Sequence, residues 1–323
     1  MANPVSAAWS KLPGWAKVAA LGAGVWAASN LVDRLTEKDL AGQLVLITGA
    51  GSGIGRLMAL RFAKEGCNLA LWDVNKAGCD ATAAECTGLG ARAISYVCDV
   101  TDRELVYALA ARVKDDFGGV AVDILVNNAG IVSGKKLLEN SDRMIQKTFE
   151  VNTIAHFWTL KAFLPDMLAR NHGHIVTICS ASAFVGVSGL CDYSASKWAV
   201  FGMEESLRFE LQKLGKTGVK TTCVCPFYIN TGMFDGVTSR LGPILPILEP
   251  DYVADSVVTA VKRNTRLLCL PRITYAAHLL RGLLPVAVWD AAAHLAGINS
   301  GMDEFTGRAG AHGGGGGGGG GGG

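Results

Sequence analysis

Leu44-Val45-Leu46-Ile47-Thr48-Gly49-Ala50-Gly51-Ser52-Gly53-Ile54-Gly55 is the stretch that decides the fold. Leu44 to Ile47 is a short, wholly apolar run of the kind shown by a parallel strand buried on both faces. Glycines 49, 51, 53 and 55 follow at once. From Ile54 onward Leu57, Met58, Leu60, Phe62 and Ala63 recur at helical spacing between Arg56, Arg61, Lys64 and Glu65. Strand, tight turn and helix in that order form an anion site, because glycines let the backbone approach a pyrophosphate and the unpaired N–H groups of the helix start donate to it. A glycine pattern alone occurs in many plain turns, but a legible strand before it and helix after it favour a dinucleotide loop.

Beyond the first helix the alternation continues. Asn68 to Trp72 reads as a second strand ending in Asp73, about twenty residues past the loop, where a carboxylate accepts hydrogen bonds from the adenine-ribose hydroxyls of NAD and repels the extra phosphate of NADP. Asp73 also suits a helix N-cap, and the two roles are compatible. A helix over Asn75 to Thr87, a strand over Ala91 to Cys98, a helix over Asp102 to Phe117 and a strand over Val122 to Val126 follow. After a helix over Asp142 to Arg170 come strands at Gly173 to Ser180, Gly218 to Pro226 and Arg266 to Leu270, with a helix from Tyr252 to Arg263 before the last. The pattern implies a Rossmann-type, doubly wound α/β fold: a seven-stranded parallel sheet with helices on both faces.

Ser180 ends the fifth strand, where α/β sheets present reacting groups. Thirteen residues on stands Tyr193, and four further Lys197, so the phenol and the ammonium share one helix face. An ammonium beside a phenol, together with a cationic nicotinamide ring, favours the phenolate. Tyr193 then removes the proton of an alcohol, Ser180 donates a hydrogen bond to its oxygen, and the carbon gives hydride to the nicotinamide.

Thr48-Gly49-x-x-x-Gly53-x-Gly55, Asn127-Asn128-Ala129-Gly130, Asn152, Ser180 and Tyr193-x-x-x-Lys197 stand here in the order in which they stand in the short-chain dehydrogenases/reductases, and the chain resembles that family over about residues 40 to 275. The resemblance implies a catalytic set of Ser180, Tyr193, Lys197 and Asn152, with Lys197 also gripping the nicotinamide ribose and Asn152 holding a water for proton relay. It implies cofactor contacts at Gly49, Ser52, Gly53, Ile54, Gly55, Asp73, Asp99, Val100, Asn127, Ala129, Gly130, Tyr193, Lys197, Pro226, Ile229 and Thr231. Where the family usually reads Pro-Gly, this chain has Pro226-Phe227. His156-Phe157-Trp158, Lys161-Ala162-Phe163-Leu164-Pro165 and Asn230-Thr231-Gly232-Met233-Phe234 narrow the resemblance to the membrane-associated retinol dehydrogenases and lipid-droplet 17-beta-hydroxysteroid dehydrogenases. That group takes apolar alcohols, so Ser180, Ser182, Phe184, Val185, Leu190, Tyr193 and Phe227 are expected to face a retinoid or a sterol, with Ala181, Tyr228 and Phe234 nearby. NAD is the expected cofactor and all-trans-retinol the expected substrate, with a hydroxysteroid as runner-up and a non-catalytic membrane scaffold as the rival of another class. The helices with Asn152 and Tyr193 match the family's usual dimer face, so the resemblance implies a homodimer.

Composition bounds the rest. Thirty basic and 28 acidic residues leave a net charge of +2 with no basic tract, which argues against nucleic acid. Nine cysteines without a Cys-x-x-Cys pair read as buried reduced thiols in a cytosol-facing domain rather than a disulfide framework or zinc site, and no metal is expected. The mostly apolar run Val18 to Val32 spans about 22 Å as a helix, short of the roughly 30 Å hydrocarbon core. Trp9, Trp15 and Trp26 suit a membrane interface, while a signal peptide and a packed helix compete for the same run. The resulting organisation is a membrane-associating segment (1–40), a catalytic domain (41–271), an amphipathic extension (272–308) expected against a membrane or packed as an ordinary tail, and a glycine-rich tail (309–323). The expected location is the endoplasmic reticulum membrane or a lipid droplet.

Overall fold

The computed structural model describes residues 37–307 apart from 243, and isolated positions before them. Most of the Val18–Val32 run and the glycine tail lie outside the described residues. Seven strands, β1 Leu44–Thr48, β2 Asn68–Asp73, β3 Ala93–Val97, β4 Ile124–Asn127, β5 Gly173–Ile178, β6 Val219–Pro226 and β7 Leu267–Leu270, form one sheet in the order β3-β2-β1-β4-β5-β6-β7. Every pairing is parallel, as the near-continuous apolar strands require.

Alternation along β1 divides the core in two. Val45 and Ile47 pack with Met58 and Phe62 of α1 (Gly53–Lys64) and with Val253, Val257 and Val261 of α7 (Pro250–Lys262). Leu44 and Leu46 face the opposite layer, built from α3 (Arg103–Asp116), α5 (Ala155–Arg170) and α6 (Cys191–Lys213), where Trp72 meets Phe163 at 5.7 Å between ring centroids. On the first layer Arg61 of α1 pairs with Asp255 of α7 at 2.9 Å and also with Asp251. The helix α2 (Lys76–Gly88) follows β2 and is capped by the Asn75 side chain, which accepts from Gly78 N.

Two expected elements are divided. The single helix foreseen from Asp142 to Arg170 is α4 (Asp142–Phe149) and α5 joined by a π-helical turn over Glu150–Ile154. That turn lets Asn152 point inward to a polar network, a choice that apolar periodicity does not record. The extension after β7 is two helices, α8 (Thr274–Leu283) and α9 (Val286–Leu295), separated at Leu284-Pro285 because proline cannot donate into a continuing helix. No helix of the described residues is long and apolar enough to cross a membrane.

Two histidines are buried in this frame. His174 on β5 bonds Lys38 Nζ through Nδ1 (2.8 Å) and Thr222 Oγ1 through Nε2 (2.7 Å). Burial holds it well below the usual histidine range and pushes His156 down to about 3, so both are neutral when folded. The unfolded chain binds protons at these sites below about pH 6.5, the folded chain does not, and stability therefore falls as pH falls through that value. Thermal midpoints measured from pH 7.5 to 5 are expected to drop on the acid side, with a shallower slope for His156→Gln; a slope unchanged by that substitution would contradict the assignment.

Candidate active site

The sheet reverses its order of filling between β1 and β4, and the crevice beyond the carboxyl ends of those strands is where an α/β sheet takes a ligand. The loop after β1 is set by contacts that only glycine permits. Gly49 has φ +66°, and a Cβ on Gly55 would sit 2.0 Å from Gly49 O. Asn128 fixes the loop from β4: its Nδ2 donates to Thr48 O (2.8 Å) and Gly49 O (3.1 Å), while the N–H groups of Asn128 and Ala129 both donate to Thr48 Oγ1 (3.0 Å). Ser52 stands at the N-cap of α1 and makes no capping hydrogen bond, and it lines the crevice together with Gly53 and Ile54 of the helix start.

Asp73 at the end of β2 accepts from Gly51 N through one oxygen and from Asn75 N through the other, each at 2.8 Å. Its negative charge is thereby fixed beside the glycine loop. Asp99 lies beyond β3. Burial alone would raise its carboxyl, but Thr101, through N–H and hydroxyl, and Lys147 at 3.3 Å hold it below the usual range.

One cavity of about 820 Å³ runs from this loop to α8 and α9. Among the expected cofactor positions Gly49, Ser52, Gly53, Ile54, Gly55, Asp73, Asp99, Val100, Ala129, Gly130, Tyr193, Lys197, Pro226, Ile229 and Thr231 line it, and so do the expected substrate positions Ser180, Ser182, Phe184, Val185, Leu190 and Phe227. Asn127 does not. Its side chain turns toward α5, where its Oδ1 accepts from Thr159 Oγ1 at 2.7 Å, whereas Asn128, one residue later, faces the cavity. Strand alternation decides between two adjacent asparagines, and the sequence does not say where the strand ends. Asn152 is likewise absent from the lining. Its Oδ1 accepts from Ile131 N (2.8 Å), and its Nδ2 donates to Ile131 O (2.9 Å) and Ser196 Oγ (3.1 Å), so its amide is consumed in joining the Asn-Asn-Ala-Gly turn to α6.

Tyr193 and Lys197 point into the cavity from α6, whose first turn is anchored by Asp192 accepting from Ser133 and Thr148, both at 2.9 Å. Lys197 Nζ donates to Ile178 O at 2.8 Å and stands 5.6 Å from the Tyr193 ring centroid. The expected acidification of the phenol by this ammonium is not what the protein alone shows. Burial pushes the Tyr193 hydroxyl above its ordinary value, opposed by the Ser180 hydroxyl, and burial also lowers Lys197. Desolvation disfavours both charged forms.

The far end of the cavity comes from residues that sequence reasoning did not place there, among them Met233, Leu245, Leu280, Ala292, Ala293 and Ala296. The alanines at 292, 293 and 296 share a helical face, a pattern legible in the sequence but indistinguishable there from ordinary helix packing. Phe227, in place of the family's glycine, lines the cavity and meets Tyr228 edge to face at 4.7 Å between centroids.

A glycine cradle at a topological switch point, opening onto a Ser-Tyr-Lys group, defines a nicotinamide-dinucleotide oxidoreductase of alcohols and carbonyls. Comparison with known proteins agrees: the short chain dehydrogenase family matches residues 43–241. Human epidermal retinol dehydrogenase 2 is 47% identical over 269 residues, covering 83% of this chain and 86% of that protein. Estradiol 17-beta-dehydrogenase 11 of Macaca fascicularis is 46% identical over 248 residues, covering 77% and 81%. A short chain dehydrogenase/reductase from Burkholderia phymatum, solved in complex with NAD, superposes with a TM-score of 0.67 at 28% identity over 75% of this chain and 94% of its own. The chain belongs to the short-chain dehydrogenase/reductase family.

Gly55→Ala tests the cradle. The added methyl has no space against Gly49 O, and overpacking of this kind costs about 1–3 kcal/mol. Titration with NADH followed by its fluorescence is expected to show loss of binding; wild-type affinity would show that the loop is not the dinucleotide site.

Proposed function

We propose that the chain is an NAD-dependent dehydrogenase of apolar alcohols that oxidises all-trans-retinol to all-trans-retinal. The observation that carries this is the single cavity joining the glycine cradle to Tyr193 and continuing, past Ser180, into a mostly apolar chamber closed by α8 and α9. Retinol suits that chamber: a long hydrocarbon with one hydroxyl to place. The likeness to epidermal retinol dehydrogenase 2 supports the choice. A 17-beta-hydroxysteroid is the second candidate, favoured by the likeness to estradiol 17-beta-dehydrogenase 11.

Gly49, Ser52, Gly53, Ile54 and Gly55 would hold the diphosphate, Asp73 the adenine ribose, and Asp99 and Val100 the adenine. Ala129, Gly130, Pro226, Ile229 and Thr231 would flank the nicotinamide half, with Lys197 on its ribose. Bound nicotinamide supplies a hydride acceptor and, when oxidised, a positive charge. Ser180 orients the substrate oxygen and Tyr193 takes its proton. The phenol that burial holds protonated is the form needed to donate a proton to a carbonyl, and the base form gains once positive charge is beside it. Asn152 acts by position, fixing the Ile131 turn against α6.

The outer faces of α8 and α9 carry Leu279, Leu283, Val286 and Leu295, 63–78% exposed, on the helices whose inner faces line the chamber. That arrangement supports a membrane or lipid-droplet surface at the substrate mouth, with delivery of alcohol from lipid and the catalytic domain facing the cytosol. Nine free cysteines suit that compartment. Exposed Phe157 on α5 and Trp198 on α6 support a homodimer through those helices.

NADH production from retinol and from estradiol by the purified protein discriminates the readings: retinol turnover is expected to exceed estradiol turnover, and negligible rates with both would favour a scaffold. Tyr193→Phe should lower the rate by about 10²–10⁴-fold, the usual worth of a general acid–base group. Because the phenol must lose its proton for alcohol oxidation, the oxidation rate should rise with pH and carbonyl reduction should fall, both limbs vanishing in Tyr193→Phe. Asp73→Ser should weaken NAD binding while relieving exclusion of NADP; unchanged affinity for both would remove Asp73 from the site.

A further inference from the structure

Three of the nine cysteines meet behind the catalytic residues. Cys223 and Cys225 project to one face of β6. The register that pairs Thr177 with Cys223 continues past the end of β5, where Cys179 N donates to Val224 O at 2.8 Å and so stands beside Cys225. Cys225 is paired in turn with Cys269 on β7. The sulfurs of Cys179, Cys223 and Cys225 all lie within 4.8 Å of one another, with Cys223 and Cys225 3.9 Å apart. All three are buried in an apolar nest with Ala183, Phe184 and Val200, yet Cys179 also lines the catalytic cavity, which gives the group an entrance.

We infer that this trio is a site for one soft divalent metal ion, bound by three thiolates at the back of the catalytic cavity. Three sulfurs sharing an ion at about 2.3 Å stand about 3.8 Å apart in a tetrahedral arrangement and about 4.0 Å apart in a trigonal one. The 3.9 Å pair already has that separation, and the remaining sulfurs need to close by less than about 1 Å. Among the described residues no histidine or carboxylate joins the group, and a ligand set of sulfur alone selects soft ions over magnesium or calcium.

Charge favours the same occupant. A divalent ion with three thiolates carries one net negative charge, and the cation placed against this segment, Lys197, donates its Nζ to Ile178 O, one residue before Cys179, at 2.8 Å. Each thiol releases its proton to solvent as the ion binds. Occupation also reaches the chemistry. Cys179 precedes Ser180, and its Sγ donates to Lys197 O at 3.2 Å, a hydrogen bond that is lost when the thiol gives up its proton to bind the ion, so occupation disturbs both segments that carry catalytic groups. The bound ion is therefore an inhibitor from behind the site.

The test uses the full chain, reduced, with Cys191→Ser to remove the exposed thiol. Titration with Cd²⁺ should show one ion per chain, a sulfur-to-metal charge-transfer band in the near ultraviolet and, by X-ray absorption at the cadmium edge, a shell of three sulfurs. Cys223→Ser and Cys225→Ser should each weaken binding at least tenfold, Cys269→Ala should keep the stoichiometry, and alcohol oxidation should fall in proportion to bound Cd²⁺ and return with a chelator. A shell with fewer than three sulfurs, or full binding by Cys223→Ser, would overturn the site. The absorption shell is read on the three unaltered thiols, so a variant that fails to fold does not decide the matter. It is read without substrate, so failure to oxidise retinol bears on the dehydrogenase assignment alone.

Discussion

The approach of backbone to backbone at Gly49 and Gly55 is the constraint on which the rest depends. No side chain other than hydrogen fits between Gly55 and the Gly49 carbonyl, and the loop keeps this shape because Asn128 ties Thr48 O and Gly49 O to the neighbouring strand. With the loop closed, α1 starts where a diphosphate can meet its free N–H groups. Asp73 is locked to the same loop through Gly51 N, so the charge expected to sort NAD from NADP is part of the cradle and does not depend on a mobile side chain.

A second network joins this cradle to the chemistry. Asn152 holds both backbone groups of Ile131, just after the Asn-Asn-Ala-Gly turn, and donates to Ser196, whose hydroxyl donates to Tyr193 O at 2.7 Å. The π-helical turn that presents Asn152 costs regular helix bonding, and the fully satisfied amide offsets that cost in a buried position. The consequence is a fixed distance between the Asn-Asn-Ala-Gly turn and α6. Tyr193 and Lys197 are both pushed by burial toward their neutral forms, so in the proposed mechanism the field that activates the phenol would come from the cationic ring.

The chamber beyond Ser180 is closed by the chain's last described helices, whose two faces do different work. The inner face of α8 and α9 offers Leu280 and small alanines to the cavity, and the outer face leaves large aliphatic residues in water. Sequence periodicity showed the amphipathic character of this stretch without showing which surface covered a ligand space, because a helix buried against a cavity and one buried against a core have the same pattern.

The sequence by itself determined the parallel sheet, the glycine loop, Asp73 and the Ser180-Tyr193-Lys197 set, because each depends on local spacing: an apolar strand, glycines at a forced turn, a phenol and an amine one helical turn apart. Only the tertiary structure decided what depends on strands and turns coming together. It put Asn128 rather than Asn127 in the cavity, since the end of β4 sets which amide faces out. It spent the Asn152 side chain on Ile131 and Ser196. It also gathered Cys179, Cys223 and Cys225, 44 to 46 residues apart across β5 and β6 and two apart along β6, into one cluster. Register between neighbouring strands is a property of the folded sheet, and no spacing along a single chain encodes it.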